Sequence, residues 1–154
     1  MIIHDKQGNV GTFYNYKGFN LEWTGEALKA AMGKQTADQA MEKLRSSFVV
    51  CANIGQHMLI NLGTGSADFK KKWTHPTIFD TNILFDFVEG RKKENVKKFI
   101  KPEEDHGPGD DKYQKFELKE GFSITFCTNG DDAAAAALVE GLPHADKMRK
   151  IIIV

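Results

Sequence analysis

Apolar and polar positions along this chain follow two rhythms. Ala37, Ala40, Met41 and Leu44 fall at i, i+3, i+4 and i+7, the spacing that puts them on one face of a helix. Thr36 and Gln39 ahead of them make a capping box, so the pattern predicts a helix ending near Arg45. Thr24 caps a shorter predicted helix that runs to about Met32 and stops at Gly33. Residues 48–52, 58–62, 122–127 and 151–154 are mainly apolar runs, interrupted only at Asn61, Ser123 and Thr125. Such runs suit strands covered on both faces.

The remaining segments are less regular. Residues 78–88 are apolar and rich in β-formers, with Asp80 and Asp86 set among them as caps or loop residues. Residues 91–100 have helical spacing at Val96, Phe99 and Ile100, and Lys101-Pro102 stops them. Residues 112–118 and 122–127 read as a hairpin joined at Lys119-Glu120-Gly121. Asp131 caps a helix over 132–140, with Gly141 and Pro143 just past its end. Helices alternating with buried strands predict an α/β fold: a three-layer sandwich with a mostly parallel central sheet and a C-terminal hairpin. The domain is expected to span 24–154. The opening residues 1–23 read as an N-terminal aromatic arm or hairpin whose rings, Phe13, Tyr14, Tyr16, Phe19 and Trp23, need a surface to cover them.

Charge narrows the function. Lys+Arg and Asp+Glu number 21 each, whereas nucleic-acid domains usually carry a positive excess to neutralise phosphates. Zero net charge gives little repulsion between molecules, which favours a protein packed against partners. No apolar run reaches the roughly 18 residues needed to cross a bilayer, and the first residues carry no secretory signal. The expected location is cytoplasmic. Cys51 and Cys127 lie inside apolar runs and read as inert core thiols.

Chemical motifs are sparse. Gly33-Lys34-Gln35-Thr36 is the nearest match to a phosphate loop. It lacks the first glycine, where Leu28 stands, and the hydroxyl directly after the lysine, so it reads as a turn between helices. His4, His57, His75, His106 and His144 are scattered without ligand spacing. The acidic stretch 103–111 lacks the alternation of a calcium loop and reads as a solvated loop. Basic stretches at Lys70-Lys71-Lys72, at Arg91 to Lys101 and at Lys147 to Lys150 read as solvent faces, with an acidic partner as the alternative. No metal or cofactor is expected.

Two segments carry a family resemblance. Gly55-Gln56-His57-Met58-Leu59-Ile60-Asn61-Leu62-Gly63, after the helix from Met41, resembles the helix and strand "G-x-x-L-L-I-x-N" of an AAA+ module of the dynein heavy chain type. Gly121-Phe122-Ser123-Ile124-Thr125-Phe126-Cys127-Thr128-Asn129 resembles that family's sensor strand. Leu142-Pro143-His144 and the apolar run 151–154 resemble the return to a last core strand. The chain departs from the family in its first half, which has no working Walker A motif, and after Ile60, where Walker B acids are missing. The resemblance implies the sandwich without the ATPase, and a cytoskeletal or axonemal setting. The expected function is a non-enzymatic protein-interaction subunit of a larger cytoplasmic assembly, bound to other proteins. The alternative is a small enzyme or ligand-binding domain with a pocket at the carboxyl ends of the strands, near Asn53, Gly55, Asp80, Thr128 and Asn129.

Overall fold

The computed structural model describes residues 1–105 and 116–154. Five strands form one sheet: β1 (Ile2–Asp5), β2 (Phe19–Glu22), β3 (His57–Asn61), β4 (Ser123–Thr128) and β5 (Lys150–Ile153). Their order is β2-β3-β4-β1-β5, and every pairing is parallel. Helices α1 (Val10–Lys17), α2 (Trp23–Ala31), α3 (Ala37–Ile54) and α7 (Asp132–Gly141) are joined by the short α4 (Thr81–Leu84), α5 (Lys93–Lys97) and α6 (Pro102–Asp105). The fold is an α/β sandwich of three layers, as expected.

Crossover direction sets the layers. The connection from β1 to β2 moves one way across the sheet, and all later ones move the other way. Parallel crossovers are right-handed, so α1 covers one face and the other helices cover the opposite one. Burial agrees with this. Ile3, Leu59 and Cys127 pack with Val10 and Tyr14 of α1. Their strand neighbours Ile2, Met58, Ile60 and Phe126 join Trp23, Leu44, Phe48 and Leu138 on the other side.

Four readings need correction. Residues 48–52 are the second half of α3 and not a strand. Ala40, Leu44, Phe48, Cys51 and Ala52 continue one buried stripe past Arg45, so the helical period overrides the β-preference of Phe-Val-Val. Gly55, left-handed at φ 73°, ends α3. Residues 1–23 are no arm: they supply β1, α1 and β2, with β1 between β4 and β5. There is no C-terminal hairpin among the described residues, since β4 pairs parallel with β1 and β3. The other half of that expected hairpin falls mostly outside the described residues. Residues 78–88, rich in β-formers, form α4 and turns. Asp80 caps α4 by accepting from the Asn82 N–H at 3.0 Å.

Local signals elsewhere match the structure, except that α2 begins at Trp23 with Glu22, not Thr24, at its N-cap. Thr36 and Gln39 form both hydrogen bonds of the capping box, at 2.8 and 3.1 Å. Asp131 caps α7 through the Ala134 N–H at 2.8 Å. Residues 33–36 turn from α2 into α3, and the Gln35 amide donates to the Glu26 carbonyl at 2.9 Å. The last apolar run does form a strand, β5, but at the sheet edge beside β1 and half exposed, not as a central strand covered on both faces.

Candidate functional site

In an open α/β sheet, ligands bind beyond the carboxyl ends of the strands, where successive connections leave toward opposite faces. Here that point lies between β1, which leads into α1, and β4, which leads into α7. A polar cavity of about 330 Å³ opens there, lined by His4, Lys6, Asn129, Gly130, Asp131 and Asp132.

The turn after β1 is built around a carboxylate. Asp5 is buried. Its Oδ1 accepts from the Gln7 N–H at 3.1 Å and its Oδ2 from the Val10 N–H at 2.8 Å. The side chain therefore satisfies backbone donors at the start of α1, where a helix offers its partial positive charge. A phosphate loop occupies this same place, between a strand and a helix. In the eight residues from Asp5 to Thr12, Asp5 stands at the first glycine position and Val10 at the second. Gly11 stands at the lysine position and Thr12 at the hydroxyl position.

Beside this turn, His4 is buried against β4. Its Nε2 donates to the Gly130 carbonyl at 2.9 Å, and its Nδ1 lies 3.8 Å from Asp132 Oδ1. Lys6 reaches the same carboxylate at 3.0 Å, and that hydrogen bond holds the exposed Asp132 carboxyl below its usual range. Thr128 donates to the Gly65 carbonyl at 2.7 Å and accepts from the Gly130 N–H at 3.2 Å. Those bonds fix the loop after β4.

A second polar cluster sits on the α1 face at the ends of β2 and β3. Glu22 Oε1 accepts from Asn20 at 2.9 Å and Asn61 at 3.1 Å, and Asn20 also donates to Asn15 at 3.0 Å. Asn20 Oδ1 is buried without a partner.

The expected pocket residues do not come together. Thr128 and Asn129 lie at the switch point. Asn53 and Gly55 lie at the opposite, amino end of the sheet, where Asn53 accepts from the Glu117 N–H at 3.2 Å. Asp80 is occupied as a cap. The expected interaction rings also divide. Trp23 is fully buried, Phe19 packs against the core, and Tyr14 lies on the sheet with its hydroxyl donating to Thr125 at 3.1 Å. Only Phe13 and Tyr16 are exposed, at 60% and 82%.

The sequence reading missed Asp5, Lys6, His4 and Asp132. The usable signal was an acid one residue past a short apolar run and before Gly8, but it needed α1 to be recognised. Both cysteines are free and buried. Burial pushes the Cys51 thiol up to about 11, and burial with the nearby Asp5 charge pushes Cys127 up to about 12. Neither is a ready nucleophile at neutral pH. No group of three or more metal-ligating side chains gathers among the described residues, and His106 lies outside them. No described helix is long and apolar enough to cross a membrane. No protein-family model, curated protein or solved structure matches the chain.

Proposed function

We propose that this chain is a nucleotide-independent protein-interaction subunit of a larger cytoplasmic assembly, built on a sandwich like that of an AAA+ module of the dynein type. The observation that carries this reading is the Asp5 carboxylate at the start of α1. A bound phosphate would need the same backbone donors, and it would meet a buried negative charge where it must sit. Gly11 adds to this, because it supplies no cation at the lysine position. The family part of the reading draws support from β3, β4 and β5, since the segments that resemble the family are strands of one parallel sheet. The cytoskeletal or axonemal setting rests on that resemblance. The interaction part draws on Phe13 and Tyr16, which α1 holds in solvent.

A thermal melt with millimolar Mg-ATP, with Mg-GTP and with no nucleotide tests the first part. No shift is expected. A ligand at 100 times its dissociation constant adds about 2.7 kcal/mol, so a binding site at this turn would raise the midpoint by roughly several degrees. Native purification with identification of co-purifying chains tests the second part.

The polar cavity at the switch point favours a second reading, a small-ligand site lined by His4, Lys6 and Asn129. A small polar compound that raises the melting midpoint of the parent chain but not of a Lys6→Ala variant would place that reading first.

A further inference from the structure

Strand β5 forms one side of the sheet, and among the described residues no strand lies beyond it. Its ladder with β1 uses the carbonyls of Arg149 and Ile153, which accept from the Ile2 and Lys6 N–H groups at 2.8 and 2.9 Å. Backbone groups of successive residues in a strand point to alternate sides. Lys150, Ile152 and Val154 therefore turn their own N–H and C=O groups outward. Ile152 is 63% exposed and Val154 is 84% exposed. Proteins usually blunt such an edge with charge, proline or a bulge, yet residues 151–154 are Ile-Ile-Ile-Val.

Two apolar hollows flank this edge, one on each face. On the α7 side a hollow of about 200 Å³ is lined by Ala135, Ala136, Val139, Lys150 and Ile152, among others. On the α1 side one of about 350 Å³ is lined by Ile3, Val10, Phe13, Tyr14 and Ile153, among others. A strand added to β5 would send successive side chains into the two hollows in turn. It must be apolar at consecutive positions, and β5 itself has that composition.

We infer that β5 is the seam of a twofold dimer, in which the added strand is the antiparallel β5 of a second copy. A dyad normal to the sheet makes the contact isologous and lays the two α7 hollows side by side. Charge fits this arrangement. The dyad brings the exposed Arg149 and Lys150 at the start of one β5 toward the far end of the other. There the second copy's α7 begins with the exposed Asp131 and Asp132. The zero net charge of the chain leaves no long-range repulsion between copies. The seam shares Asp131 and Asp132 with the rim of the switch-point cavity but uses none of the Asp5 turn, so it stands or falls apart from the nucleotide-independent reading proposed above.

Sedimentation velocity of the 154-residue chain across a concentration series tests the seam. A species of twice the chain's mass is expected to grow in with concentration. Ile152→Lys points into solvent in the single copy, so it should leave the melting curve unchanged at concentrations where the parent chain is monomeric, while weakening the dimer about a hundredfold. Lys150→Glu should weaken it about tenfold, and Asp132→Lys in the same chain should restore it. A monomer at every concentration would overturn the inference, as would a dimer indifferent to Ile152→Lys. If Ile152→Lys fails to fold, the charge reversal and its rescue decide the question: rescue supports the seam, and failure of rescue removes it.

Discussion

One face of the sheet carries a connected set of rings, and the other carries a single eight-residue helix. On the ring side Phe69 touches Trp23, Phe85 and Phe126, with ring centroids 5.5 to 6.0 Å apart. Phe79 and Phe48 extend the set. On the α1 side the core is four buried residues, Ile3, Val10, Leu59 and Cys127, bordered by Asp5, Asn20 and Glu22. The difference teaches where the molecule keeps its stability. Apolar burial holds the ring side, at about 1.5–3 kcal/mol for each large side chain. Polar capping and a thin apolar patch hold the α1 side, which leaves that face free to carry chemistry or contacts.

The sharpest way to break this contrast is to delete a ring and an α1 contact separately. Phe69→Ala should cost about 3–5 kcal/mol in guanidinium unfolding, because the cavity lies among rings that cannot collapse into it. Val10→Ala should cost about 1 kcal/mol, since Val10 is smaller and lies at the border of the thin patch. Equal costs would mean that the two faces share the load.

A buried cation ranks next. The Arg45 side chain is buried on α3, where it donates to Glu42, to Glu104 and to the Phe99 carbonyl at 2.7 to 2.9 Å. It fastens the short helices α5 and α6 to the ring side. Arg45→Ala should cost about 2–3 kcal/mol, below the usual figure for breaking a buried pair, because both glutamates reach solvent. Loss of protection from hydrogen exchange should then spread first from residues 93–105.

Asp86 gives the ring side an acid limit. The Glu89 and Val88 N–H groups, at 2.9 and 2.7 Å, followed by Lys147, lower its carboxyl to about 2. A carboxyl held below its unfolded value stabilises the fold above that value. The contribution fades as pH falls from near 4, the unfolded range, through about 2. The melting midpoint of the parent chain should therefore fall faster across that window than that of Asp86→Asn. Parallel curves would remove Asp86 from the account.

Legibility in the sequence follows the same division. On the ring side β3, β4 and the caps at Thr36, Asp80 and Asp131 could be read locally, because each is set by a few adjacent residues. The second half of α3 could not. Val50 and Ile54 are exposed apolar residues in that run, so the stripe looked like a two-faced strand until tertiary packing chose the helix. On the α1 side little could be read. Val-Gly-Thr-Phe-Tyr-Asn-Tyr-Lys contains few helix formers. The helix exists because Asp5 caps it and Val10 and Tyr14 find Ile3 nearby and Leu59 and Cys127 far along the chain. The candidate site was hidden for the same reason, since His4 meets Gly130 and Lys6 meets Asp132 only in the folded sheet.

Asp5 measures how far the α1 side depends on that cap. Asp5→Ala removes the acceptor for two backbone donors and should cost about 1–2 kcal/mol. The loss should appear as faster hydrogen exchange in α1 while α3 stays protected. An unchanged α1 would show that packing on the sheet alone holds the helix.

The smallest expected effect on stability comes from the exposed rings of α1, and it bears most directly on function. Phe13 and Tyr16 are the exposed aromatic residues of this helix. Phe13 keeps one edge contact, with Tyr14 at 5.7 Å between centroids. Replacing both with serine removes little buried area, so the unfolding free energy should change by no more than about 0.5 kcal/mol. The fold therefore gives no reason for these rings to be aromatic. A contact with another protein does, because exposed aromatic side chains anchor interfaces at low entropic cost. The double variant, purified natively beside the parent chain, should keep its melting curve and lose the co-purifying chain. Loss of stability without loss of partner would return the two rings to the fold and leave the α1 face with no assigned contact to a different protein.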